Sequence, residues 1–186
     1  MKFMTPDLLA RFRSEDDEVA EAAAAAWEEA GARYNEHLDA IRASLPRAAR
    51  KLLRPQFNPH DARVLAVTVD ETPFCSIFLK LAGAPDALDR HVELRYRLAG
   101  GPEVLTTTRH PALEADGQPF GWWLYDEFDV VREGQSSTFI HSILFTGGCE
   151  LRIPFSALSI RRLYEVLLPS TPPGGEVVGG LNLLTV

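Results

Sequence analysis

The sequence predicts an α+β protein, with N-terminal helices, one of them long, packed on a largely antiparallel sheet of six or seven strands. Three observations predict it. Between Glu15 and Ser44 there is no proline, and Trp27, Tyr34 and Ile41 recur every seven positions with Leu38 and Leu45 alongside, a helical stripe. From Ala62 the period changes from helical to alternating. Tight links such as Thr146-Gly147-Gly148 join neighbouring runs as hairpins. At 186 residues the chain matches one domain able to bury a core without staples. The expected organisation is one α+β domain over residues 1–168, with a helical arm at 5–54 and a sheet at 62–155. A Pro/Gly-rich tail follows at 169–186.

Thr5-Pro6-Asp7 reads as a helix start, with a capping hydroxyl, a proline at the first position and an acid in the first turn. That helix should end near Arg13, and Ser14 should cap the long one, with Glu15, Asp16 and Asp17 in its first turn. Ala22–Ala26 is good helix with little bulk. Pro46 breaks the pattern and opens a short third helix through Ala48, Ala49, Leu52 and Leu53, which Pro55 ends. Arg42, Arg47, Arg50, Lys51 and Arg54 make this the basic stretch of the chain, read as a solvated face or a patch for an acidic partner.

The strands expected next are Val64–Val69, Phe74–Leu81, His91–Leu98, Val104–Thr108, Phe120–Val131, Thr138–Phe145 and Cys149–Phe155. His91–Leu98 alternates Val92, Leu94, Tyr96 and Leu98 against His91, Glu93, Arg95 and Arg97. Gly100-Gly101 reads as a turn, and Arg109–Pro119 as a loop. After Phe155 the pattern over Ser156–Leu168 does not settle one element; Ile160, Leu163 and Tyr164 fit a short helix, with the arginines facing out. Strand order should follow chain order where the links are short.

Bulk properties exclude some classes. The formal charge is −7 and the pI about 5.2, without the basic footprint of nucleic-acid binding, so no nucleic-acid partner is expected. Cys75 and Cys149 sit in apolar runs and read as buried thiols rather than a disulfide framework or metal ligands. Asp7 and Arg11 interrupt any leader-like stretch, and no run approaches the roughly 18 apolar residues of a membrane span. The expectation is a soluble cytoplasmic protein with no membrane partner. No cofactor is expected, because no glycine-rich phosphate loop opens a helix.

The candidate catalytic residues are His141, Asp126, His60 and Asp61. Alternation puts Trp122, Leu124, Asp126, Phe128 and Val130 on one face of their strand, and Phe139, His141, Ile143 and Phe145 on one face of the next. Registers that join the apolar faces place His141 opposite Phe128 or Asp126, so the two polar side chains meet. Such a pair is either a satisfied structural network or a general base oriented by its carboxylate. No nucleophile accompanies it: Ser142 points the other way and no Gly-x-Ser-x-Gly elbow exists. His60-Asp61 precedes the first strand. His60 and His141, with Asp61 or Asp126, offer a three-ligand metal set whose geometry nothing in the pattern fixes, so no metal site is assigned. His110 reads as solvated, and His37 and His91 as surface. The opposite face of the Phe120 strand carries Trp123, Tyr125, Glu127 and Asp129, aromatics beside acids. Exposed, that face suits a basic protein partner; otherwise a helix covers it.

Two stretches carry a resemblance. The first is Phe3 to Tyr34, with Thr5-Pro6 and Trp27-Glu28-Glu29, followed by Leu45-Pro46 and His60-Asp61. The second is Tyr125-Asp126-Glu127-Phe128, then Phe139, His141, Ile143-Leu144-Phe145 and Glu150–Phe155. Together they resemble a family of uncharacterised bacterial proteins with an N-terminal helical arm and a C-terminal sheet. The resemblance implies that architecture and a bacterial cytoplasmic setting. At fold level the chain is also similar to the immunity proteins of bacterial toxin systems. The functional expectation is a non-catalytic protein-binding molecule, with a metal-dependent or His/Asp-based hydrolase as the alternative.

Overall fold

The computed structural model describes residues 1–54, 57–70, 73–82, 91–106, 120–134 and 136–163. The expected loop at 109–119, with His110, and the tail at 169–186 lie outside the described residues.

Three helices open the chain. In α1 (Pro6–Phe12) the Thr5 hydroxyl accepts from the Leu8 N–H, and Pro6 stands at the first position, as expected. The long helix α2 (Asp17–Ile41) is capped by Asp16 rather than Ser14. The Asp16 carboxylate takes two orphan N–H groups, from Glu18 and Val19, while Ser14 Oγ accepts from the Asp16 N–H. The stripe of α2 buries Ala23, Ala30, Tyr34 and Leu38. Pro46 precedes α3 (Arg47–Leu52), which buries Ala49 and Leu52 and leaves its cations exposed.

The strands are β1 (Arg63–Val69), β2 (Phe74–Lys80), β3 (His91–Leu98), β4 (Glu103–Thr106), β5 (Trp123–Glu133), β6 (Ser136–Phe145) and β7 (Cys149–Leu163). They form a seven-stranded sheet, antiparallel at every pairing, in the order β1-β2-β3-β7-β6-β5, with β4 also on β7. Chain order therefore holds for β1-β2-β3 and for β5-β6-β7, but β7 comes back between them.

Two sequence expectations fail at β7. Residues 156–163 are not helical; they continue the strand and pair with β3 from Leu98↔Phe155 to His91↔Leu163. The open edge of β3 needs hydrogen-bond partners, and this segment supplies them. Nor does Gly100-Gly101 reverse the chain. β3 and β4 run in the same direction along one edge of β7, β3 on its second half and β4 on Cys149–Arg152. The break between them falls at Pro154. In an antiparallel strand a residue's N–H and C=O point to the same neighbour. The Pro154 carbonyl accepts from the Ala99 N–H at 3.0 Å, so its missing N–H faces that same gap.

The sheet curls until its two ends touch. Asp61 N–H donates to the Trp123 carbonyl (2.8 Å), Trp123 N–H to Ala62 (2.9 Å) and Val64 N–H to Gly121 (3.0 Å). The inside of the curl is the main core. It combines Cys75, Ile77, Leu79, Leu94, Ile153 and Phe155 from the strands with Tyr34, Leu38, Leu45, Ala49 and Leu52 from the helical arm. Both cysteines are buried and free. Burial pushes the Cys75 thiol up to about 12, helped by the charge of Asp70, and Cys149 up to about 11, helped by Glu150.

Candidate functional site

A bulge in β5 decides which side chains share a face. Trp123 pairs with Phe145 and Tyr125 with Leu144, so Leu124 is the extra residue. Simple alternation puts Trp123 with Tyr125, Glu127 and Asp129; the bulge moves it to the core side. Trp123 is fully buried and donates from Nε1 to Asp126 Oδ1 at 3.1 Å. Leu124 turns outward instead and packs with Leu9 and Leu144.

On the core face the register places His141 opposite Phe128, with Asp126 as its diagonal neighbour. His141 Nε2 lies 3.0 Å from Asp126 Oδ2, and His141 Nδ1 lies 2.8 Å from the Tyr96 hydroxyl. Opposite an ionised carboxylate Nε2 carries the hydrogen, and in the neutral imidazole Nδ1 then accepts from the Tyr96 hydroxyl. The Phe128 ring stacks on the imidazole at 4.0 Å between centroids. Burial, with the nearby Cys75 and Asp126, drives the Tyr96 hydroxyl well above its ordinary value, so it remains a donor. His141 has no exposed surface.

The other candidate pair is separate. His60 Nδ1 contacts Asp61 Oδ2 at 2.9 Å, and its ring meets Tyr125 edge-on at 5.2 Å. Tyr125 stands on the opposite face of β5 from Asp126, so the four residues divide into two pairs across the strand. Among the described residues, no group of three or more His, Cys, Asp or Glu side chains is placed to hold a metal ion.

The outer face of β5, β6 and β7 holds a second polar site. Glu127 is only 4% exposed, and its carboxylate accepts three successive backbone N–H groups: Lys2 at 2.7 Å, Phe3 at 3.0 Å and Met4 at 2.7 Å. Consecutive amides closing on one anion form a nest. The Lys2 ammonium pairs with Asp129, and the Met1 nitrogen with Glu150, which is buried beside them. His37 Nε2 from α2 approaches Asp129 Oδ1 at 3.1 Å, and its ring packs against Phe3. Burial alone would raise the Asp129 carboxyl. Hydrogen bonds from Lys2 and the Val130 amide, with the charges of Lys2 and His37, outweigh it and hold the group below its ordinary value. A cavity of about 250 Å³ remains beside Met1, Lys2 and Phe3, reaching Leu105, Ile140 and Ser142.

No protein-family model and no curated protein matches the chain. That is consistent with an uncharacterised family.

Of the expected outer set, Tyr125, Glu127 and Asp129 share a face and Trp123 does not. Tyr125 is packed against Trp27 of α2, with ring centroids 4.7 Å apart. The chain's own first residues cover Glu127 and Asp129. Sequence reasoning missed Met1–Met4, His37 and Glu150. The alternation of Cys149–Phe155 already set Glu150 apart from Leu151 and Ile153. Nothing local links residues 2 and 127.

Proposed function

We propose that this chain is a non-catalytic binding protein whose acidic outer face on β5–β7 receives a basic protein partner. The setting proposed with it is a bacterial cytoplasm and a role similar to that of immunity proteins, on the resemblance carried by the two quoted stretches. One observation supports the reading most. Glu127, Asp129 and Glu150 gather on one sheet face and hold a lysine-bearing segment, bent at Phe3 and Met4, mainly through its backbone. Charge complementarity of this kind sets partner choice and encounter rate. The hydrolase alternative draws on Asp126 and His141, but the imidazole is enclosed, and a substrate would reach it only if the core opened.

Fluorescence anisotropy with short labelled peptides tests the reading. Short lysine-bearing peptides should bind, and otherwise identical glutamate-bearing ones should not. Asp129→Asn should weaken the lysine peptides at least fivefold, and added salt should weaken them further. Equal binding of both charge types, or an indifferent Asp129→Asn variant, would sink the proposal.

A further inference from the structure

Residues 1–4 contribute no strand to the sheet and pair with none of its strands. They are held by Glu127, Asp129 and Glu150 on one side and by Phe3 against Tyr34 and His37 on the other. The groove is also wider than this occupant, because the 250 Å³ cavity lies alongside it. Three of the contacts go to backbone N–H groups, which a non-proline segment presents together when it bends as Phe3 and Met4 do. Two cationic contacts complete the set, an ammonium placed for Asp129 and a second positive group for buried Glu150, which the Met1 nitrogen supplies in the resident segment.

We infer that Met1–Met4 is a resident ligand of the acidic groove, and that a lysine-bearing segment of a protein partner, bent in the same way, binds there by displacing it. This deepens the binding reading above and rests on it. The incoming segment repeats the resident contacts: successive amides on the Glu127 carboxylate, an ammonium on Asp129 and a cation on Glu150. Tethering gives the resident an effective concentration on the order of millimolar, so it competes with any partner that makes only the same contacts. A partner gains the site when its other contacts exceed that handicap, and the resident segment sets the affinity threshold.

The test compares the full chain with a variant lacking residues 1–4, its fold checked by circular dichroism. The probe is a synthetic heptapeptide with the sequence of residues 1–7, beside a counterpart carrying Lys2→Glu. The inference expects the truncated protein to bind the lysine peptide at least tenfold more tightly than the full chain. It also expects amide exchange at Lys2, Phe3 and Met4 of the full chain to speed up when peptide is added. Equal affinity in both proteins, or unchanged exchange with peptide bound, overturns displacement while leaving a basic-segment site in place. Failure of both proteins to bind overturns the binding reading and this inference together. If the truncation does not fold, Lys2→Glu in the full chain makes the same comparison, since it repels Asp129 and leaves the fold's other contacts intact.

Discussion

At Asp126 a two-oxygen carboxylate meets two donors, the Trp123 indole and the His141 imidazole, while Tyr96 closes the network from β3. Every polar atom of that row has a partner, so its value to the fold depends on keeping all of them. In Asp126→Asn one oxygen becomes an N–H₂ group facing a donor, which should cost about 1–3 kcal/mol. Tyr96→Phe removes one hydroxyl and leaves Nδ1 bare, at about 1–2 kcal/mol. Urea unfolding of both single variants and the double variant measures this; additive losses would show that the residues do not act as one network. Alternation alone was enough to bring Asp126 and His141 together. It was not enough to find Trp123, because the bulge that turns it inward leaves no mark in the residue pattern.

The elements depend on a few backbone positions. Gly121 has φ 50°, and a Cβ there would lie 2.5 Å from Thr146 Oγ1. That hydroxyl accepts from the Trp122 N–H at 3.0 Å, and Thr146 N–H donates to the Trp122 carbonyl at 2.9 Å. Gly121 thus lets β5 start close against the β6–β7 turn and still reach β1. Gly121→Ala should lower stability by about 2 kcal/mol or more, from the left-handed backbone and the clash together. Thermal melting checks it, and an unchanged midpoint would mean that the closure of the curl is not held there. Helix caps and hairpin turns were readable in advance because they are written in adjacent residues. The second half of β7 was not, because Ile160 and Leu163 fit a helical spacing as well as a strand, and the open edge of β3 made the choice.

For the whole molecule, acid provides a readout of the N-terminal contact. The Asp129 carboxyl titrates below its ordinary value near 3.8 when folded, so the segment-bound form favours the ionised group. Its contribution is complete above that ordinary value and is lost as pH falls through the lower folded value. Amide exchange at Lys2–Met4, followed from pH 5 downward, should therefore accelerate below about 4, after correction for intrinsic rates. Lys2→Ala should move the transition upward in pH. A segment equally protected at pH 5 and pH 2.5 would show that Asp129 does not help hold it. The net charge of −7 works in the same sense at neutral pH, since an acidic body attracts lysine-bearing segments before any specific contact forms.

The sequence by itself determined the α+β class, the three helices, seven runs of strand, the burial of both cysteines and the meeting of Asp126 with His141. Each rests on periodicity or on neighbours within a hairpin, where a few residues carry the signal. Only the tertiary structure decided that β7 divides its edge between β3 and β4, that the sheet curls to join β1 with β5, and that Trp123 turns inward. It also decided that the acidic face is filled by residues 1–4. Those outcomes depend on hydrogen-bonding edges and buried charges that find partners far along the chain, as Glu127 does across 123 to 125 positions. A local pattern shows that a carboxylate on a sheet face needs donors; it does not show which segment brings them.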